Sequence, residues 1–172
     1  MLIFFLIAQK GDINDILSKI IENKKPILGT DKAELKIVIF DDPDCPFCRR
    51  SLPLVKQLYE NNKDKVAVYI RWFPLDIHPD ARRKAKILAC SSDYFKTKED
   101  LIKGNNVKPD IPNCDGEKIV QEDLDYGYKI GVSGTPTFVI FTKSDTALIS
   151  GAPPDYEVLK NVLLKRFKID LK

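Results

Sequence analysis

Leu35-Lys36-Ile37-Val38-Ile39-Phe40-Asp41-Asp42-Pro43-Asp44-Cys45-Pro46-Phe47-Cys48 is the stretch that decides the fold. Leu35 to Phe40 is apolar and rich in β-branched residues, so it reads as a strand, with Asp41-Asp42-Pro43 as its exit loop. Pro46 opens a helix at the first turn, where its missing N–H costs nothing. Leu52, Val55, Leu58 and Tyr59 continue that helix, with Pro53 as a kink. A Cys-x-x-Cys that follows a strand and heads a helix reads as a redox motif. Cys45 stands at or before the first helical residue, where free N–H groups and the helix dipole favour negative charge. That lowers the thiol pKa and raises the fraction of thiolate, the nucleophilic form. One helical turn then brings Cys48 into reach of a mixed disulfide. Cys45 is the expected attacking sulfur and Cys48 the buried resolving one. Arg49 and Arg50 are expected to add positive potential nearby.

Outward from this stretch, Val66 to Phe73 reads as the next strand. Asp80 to Cys90 is helical, with Ala81, Ala85, Leu88 and Ala89 inward. Ser91 to Asn113 is less regular, carrying Gly104, Pro109 and Pro112, and Glu117 to Ile130 is helical again. Thr137 to Phe141 is a strand that pairs with Ala147 to Ser150 across a turn at Lys143-Ser144-Asp145. A last amphipathic helix carries Leu159, Val162, Leu163 and Phe167. The order is β-α-β, a helical block, then β-β-α. It predicts an α/β fold: one mixed central sheet with helices on both faces and a helical insertion.

The chain has 172 residues, 44% hydrophobic and 31% charged, which suits one globular domain with a sizeable core. The net charge of +3 is small and spread out, so no nucleic-acid partner is expected. Met1 to Ala8 is too short to span a bilayer and resembles the apolar core of a secretory signal without its positive start. Residues 1–8 are therefore a candidate signal remnant, with a buried strand as the alternative. Ile13, Ile16, Leu17, Ile20 and Ile21 predict a helix capped by Asp12, ahead of Pro26.

The motif has two other readings, a zinc site and a plain structural disulfide. Zinc favours a second close pair, but Cys90 and Cys114 are 24 positions apart with no His at ligand spacing. Copper favours Met or further His, and the chain offers Met1 and His78. A redox pair with no metal and no organic cofactor is the leading expectation. An even cysteine count in an exported protein predicts a Cys90–Cys114 disulfide, with two unpaired core thiols as the alternative.

Gly131-Val132-Ser133-Gly134-Thr135-Pro136 precedes an apolar strand, and a proline entering a central strand fits a cis bond at a tight turn. With the Cys-x-x-Cys, this segment resembles the thioredoxin superfamily, where a cis-proline loop faces the cysteines. Phe40 to Cys48 and Gly131 to Pro136 are similar to the catalytic domain of the DsbC/DsbG disulfide isomerases, as is the placement of Cys90 and Cys114 within the helical insertion. Phe73-Pro74-Leu75-Asp76-Ile77-His78-Pro79-Asp80-Ala81 looks more like the DsbA-type oxidoreductases. The resemblance covers about residues 32 to 166. It implies a thioredoxin fold, with a linker-like helix over 9–31 and a catalytic domain over 32–172 that holds an insertion at about 80–130. It further implies that Thr135 and Pro136 line a groove for a substrate chain, the Thr135 backbone pairing with an extended peptide. Phe47 and Val132 would offer apolar contact there.

Two positions depart from the family pattern. Thioredoxins carry a buried carboxylate six positions before the first cysteine, where this chain has Ile39. The proton relay is thus unassigned, and Asp41, Asp42 and Asp44 read as exposed turn residues. The isomerases also carry a separate N-terminal dimerisation domain, whereas about 30 residues precede the first strand here, so a monomer is expected. His78 reads as a turn or capping residue, and Trp72 as core or a wall near the site. The functional expectation is a thiol–disulfide oxidoreductase of the periplasm, or otherwise exported, that forms, isomerises or reduces disulfides. Its substrates would be cysteine-containing exported proteins, and a membrane protein would be its redox partner. The Pro46-Phe47 pair lacks the His of the strongest oxidants, which favours isomerase or reductase. The alternative is a thioredoxin-like module that binds copper or zinc.

Overall fold

The computed structural model describes the backbone of residues 2–4 and the whole of residues 19–172. Five strands form one mixed sheet in the order β1-β5-β4-β2-β3. They are β1 (Leu2–Phe4), β2 (Leu35–Asp41), β3 (Val66–Trp72), β4 (Thr137–Phe141) and β5 (Thr146–Ser150). β2 runs parallel to β3 and antiparallel to β4, while β5 is antiparallel to both β4 and β1. Five helices are described: α1 (Pro46–Asn61), α2 (Ala81–Ala89), α3 (Tyr94–Ile102), α4 (Gly116–Lys129) and α5 (Tyr156–Phe167). None of them is long and apolar enough to cross a membrane.

Every residue of β3 and β4 is buried, as a sheet covered on both faces requires. α1 lies against β3 and α5, and α4 lies against β3 and α2. Gly127 lets α4 approach closely, since a Cβ there would stand 2.7 Å from the Phe73 ring and 3.1 Å from that of Phe40. The strands and helices read from the sequence fall within a residue or two of these bounds. The exception is Ser91 to Asn113, which carries α3. Asp93 caps it by accepting from the Lys96 N–H at 3.0 Å, and Gly104 follows its end. Cys90 and Cys114 are joined by a disulfide, with Cα atoms 5.6 Å apart. The loop it closes encloses α3 and is worth about 3.5 kcal/mol in chain entropy.

The helix expected over 12–21 lies mostly outside the described residues; 19–20 are helical, and Ile20 is fully buried. Beyond it the chain runs along the free edge of β3, where the Ile27 N–H donates to Val68 O (2.7 Å) and the Val68 N–H to Leu28 O (2.9 Å). A buried ion pair anchors this segment. Arg71 on β3 donates to Asp123 on α4 (2.6 Å) and to the carbonyls of Lys19 and Ile20 (both 2.7 Å). Asp123 also accepts from Lys24 (2.8 Å) and from the Trp72 N–H (2.9 Å). Removing one partner of such a pair strands the other charge. Asp123→Ala should therefore cost roughly 3–5 kcal/mol of unfolding free energy, measured by urea denaturation. A cost within the scatter of surface substitutions would show that the pair does not anchor the fold.

Candidate functional site

The C-terminal end of β2 and the first turn of α1 build the site. Cys45 is the N-cap of α1 and Pro46 its first residue, so the N–H groups of Phe47 and Cys48 are left without helical acceptors. Both cysteines are free thiols and nearly inaccessible, with Cys45 3% exposed and Cys48 1%. The Cys45 thiol is pulled from 9.0 down to about 5. The chief cause is a hydrogen bond from the Cys48 thiol, which outweighs the cost of burial; the Thr135 side chain and the N–H groups of Cys48 and Phe47 add to it. The same shared hydrogen bond pushes the Cys48 thiol well up, reinforced by burial and by the charge of Asp41. The two sulfurs are thereby split into an acid that is readily lost and one that is firmly held.

The Thr135–Pro136 peptide is cis. Cys45 Sγ lies 3.4 Å from Thr135 O. The Thr135 hydroxyl is buried without a hydrogen-bond partner among the described residues, free to favour a thiolate at Cys45. Pro136 is buried and Thr135 half-buried, whereas Phe47 is half exposed, with the Arg50 guanidinium 4.7 Å from its ring centre. Arg49 stands 3.7 Å from Asp44. Both arginines are thus engaged beside the motif rather than directed at Cys45. Val132, expected to offer apolar contact in the groove, is as buried as Cys45. It is 3% exposed and packed in the core, its N–H donating to Gly127 O at the end of α4.

Asp41 and Asp42 also overturn the expectation of exposed turn residues: they are 2% and 0% exposed, and Asp44 is half-buried. β2 continues through Asp41, whose carbonyl accepts from the Phe73 N–H at 2.8 Å. Alternation along the strand puts Asp41 on the same face as Ile39. The acid therefore occurs two residues further along the face on which thioredoxins carry theirs. Its carboxylate accepts from Lys98 Nζ (2.7 Å) and from the Tyr94 hydroxyl (3.4 Å), both on α3. Burial disfavours the ammonium of Lys98, but Asp41 and Tyr94 more than offset this and raise its pKa. Burial and then Asp41 raise the Tyr94 phenol.

Asp42 gathers the loops. Its Oδ1 accepts from the N–H groups of Asp44 (2.7 Å) and Cys45 (3.1 Å). Its Oδ2 accepts from the Leu75 N–H (2.8 Å) and stands 2.8 Å from His78 Nδ1. His78 also closes the turn expected of it, its N–H donating to Leu75 O (2.9 Å) and its carbonyl accepting from Ala81 (3.0 Å). Trp72 is core, 4% exposed. Lys98, Tyr94 and the Asp42–His78 pair escape a reading of the sequence. The legible signal was the two adjacent acids at the end of an apolar strand.

A thioredoxin-like domain family matches this chain over residues 22–165. The thiol:disulfide interchange protein DsbC of Escherichia coli K12 is 29% identical over 123 residues, 71% of this chain and 48% of that protein. The probable thiol:disulfide interchange protein DsbC of Bordetella avium is 30% identical over 121 residues, 69% of this chain and 39% of that protein. The chain thus spans about half the length, or less, of these curated relatives. A disulfide interchange protein from Neisseria gonorrhoeae superposes with a TM-score of 0.61 at 34% identity, over 83% of this chain and 93% of that one. The catalytic domain of Proteus mirabilis ScsC shares the fold, with a TM-score of 0.67 at 22% identity over 90% of this chain and 98% of that one.

The split between the sulfurs is directly measurable. Thiolate absorbance of the reduced protein should show a transition near pH 5, and brief alkylation just above it should label Cys45 and spare Cys48. Label on Cys48, found by peptide mass spectrometry, would reverse the assignment.

Proposed function

Since the chain belongs to the thioredoxin-like domain family, we propose that it is a thiol–disulfide oxidoreductase acting through Cys45 and Cys48 on cysteine-containing exported proteins. The observation that carries this reading is the pair of free thiols at the head of α1 facing the cis Thr135–Pro136 loop, with Cys45 Sγ 3.4 Å from Thr135 O; in that setting the Cys45 thiol is drawn down and the Cys48 thiol pushed up. Nucleophilicity needs thiolate, and a low-pKa thiol is also the better leaving group in the reverse direction.

In reduction, the Cys45 thiolate attacks one sulfur of a substrate disulfide. The Cys45–substrate disulfide forms as the substrate's own bond breaks, releasing one substrate thiolate. Cys48 then gives up its proton and attacks Cys45 Sγ, closing the Cys45–Cys48 disulfide and expelling the second substrate sulfur as thiolate. Two electrons pass from the dithiol to the substrate. Oxidation runs the same steps backwards, and isomerisation stops at the mixed disulfide until another substrate thiol displaces Cys45. Asp41, whose charge raises the Cys48 thiol, is placed to influence when Cys48 lets its proton go.

The Thr135 backbone beside Cys45 would align an extended substrate segment, with the half-exposed Phe47 ring as its apolar neighbour. The Cys90–Cys114 disulfide supports an oxidising compartment and hence export, to the periplasm or beyond. The monomeric state and a membrane redox partner belong to the same reading.

Cys45→Ser should abolish reduction of insulin disulfides by the purified chain. Cys48→Ser should instead accumulate a covalent mixed disulfide at Cys45 with a cystine-containing peptide. Activity retained in Cys45→Ser, or copper or zinc kept stoichiometrically through purification with no turnover, would favour the metal-binding module instead.

A further inference from the structure

His78 is the one histidine of the chain. It lies outside the Cys-x-x-Cys motif, yet it shares a carboxylate with the backbone of Cys45. Asp42 has no exposed surface, and its two oxygens face opposite ways: one takes the Cys45 and Asp44 N–H groups, the other the Leu75 N–H and His78 Nδ1. A carboxylate only accepts, so Nδ1 carries the proton toward Asp42 and titration is left to Nε2. The His78 side chain is 20% exposed and borders a cavity of about 350 Å³ with Pro74, Leu75, Pro79, Arg82 and Tyr128. Protons from solvent have access to it.

We propose that His78 is a redox-linked proton site: acting through Asp42, its imidazolium supports the Cys45 thiolate, and its proton is released when Cys45 and Cys48 form their disulfide. This rests on the reading of Cys45 as the nucleophile and deepens it.

Charged groups face His78 from every element around it. From the loop between β2 and α1 come Asp42, Asp44 and Cys45. Its own loop carries Asp76 and Asp80. On α2, Lys84 binds Asp44 (2.5 Å) and Asp80 (3.3 Å), and Arg82 is held by Glu117 and Gln121. From α4, Tyr128 offers a phenol. The neighbouring cations are thus committed to other acceptors, whereas the imidazole is committed to Asp42. Its pKa lies above the ordinary 6.5, mainly through the Asp42 hydrogen bond, with Cys45 and Asp44 contributing.

The linkage has a definite sign. In the reduced protein the Cys45 thiolate holds the imidazole proton more tightly. Oxidation converts that sulfur to a neutral disulfide and lets the proton go to solvent. By reciprocity, a protonated His78 favours the thiolate by the same factor, so its support is present below the raised pKa and lost above it. Because that support acts on the reduced form, it makes the pair more oxidising. The histidine missing between the two cysteines is in this sense supplied from another loop.

The lone imidazole permits a clean test. Its proton resonances, followed against pH by NMR, should titrate at a higher midpoint in the reduced protein than in the oxidised one. The expected difference is a roughly fivefold or greater change in proton affinity. His78→Asn keeps an N–H donor for Asp42 but no charge. It should raise the Cys45 thiolate midpoint by the same factor and remove the extra pH dependence of the reduction potential between the two imidazole midpoints. His78→Ala, which also removes the donor, should add a loosening of the Asp42 loop. Equal imidazole midpoints in the two redox states, or an unchanged Cys45 titration in His78→Asn, would overturn the proposal. Alkylation of Cys48 in the unmutated chain would overturn it by a separate route, by removing the reading on which it rests.

Discussion

A buried carboxylate must find donors or cost several kcal/mol, and Asp42 finds four in two loops that are far apart in sequence. That requirement fixes the turn from β2 into α1, and with it the place of Cys45 at the head of the helix. It also fixes the turn after β3, since Leu75 and His78 serve the same side chain. The position of the Cys45 sulfur is therefore set by a polar knot. The apolar sheet beneath supplies rigidity, and Asp42 supplies aim.

The second polar contact, Asp41 with Lys98 and Tyr94, ties the same strand end to the insertion. α3 stands inside the loop closed by the Cys90–Cys114 disulfide, so a covalent clip limits how far Lys98 can move from its acid. Asp41 in turn bears on Cys48, while Asp42 bears on Cys45. Two adjacent side chains, Asp41 at the end of β2 and Asp42 in the turn after it, thus serve two different sulfurs.

The parts of the site that were legible are local. Strand, Cys-x-x-Cys and helix start lie within one short stretch, and their meaning follows from periodicity, N-terminal chemistry and the position of Pro46. The Thr135–Pro136 segment is similarly self-contained. What escaped depends on tertiary cover. Asp41 and Asp42 look like turn residues because Pro43 follows them, and their burial is decided by α3 and by the loop from Pro74 to Asp80. α3 itself was hidden by its flanking glycine and prolines, though Asp93 is an ordinary cap. The groove role of Val132 comes from the family resemblance, and its burial against the end of α4 is likewise a matter of tertiary cover. Lys98 carries no sequence signal at all, since a lysine on an amphipathic helix is ordinarily solvated.

The Cys90–Cys114 bond gives the molecule a susceptibility of its own. On the proposed reading, a chain that attacks disulfides itself carries one, so each copy is a potential target of every other. Cys90 is 1% exposed and Cys114 is half-buried, so little of the bond meets a foreign thiolate. Burial thus restrains self-digestion, which on that reading lets one polypeptide hold a bond meant to last beside a pair meant to change.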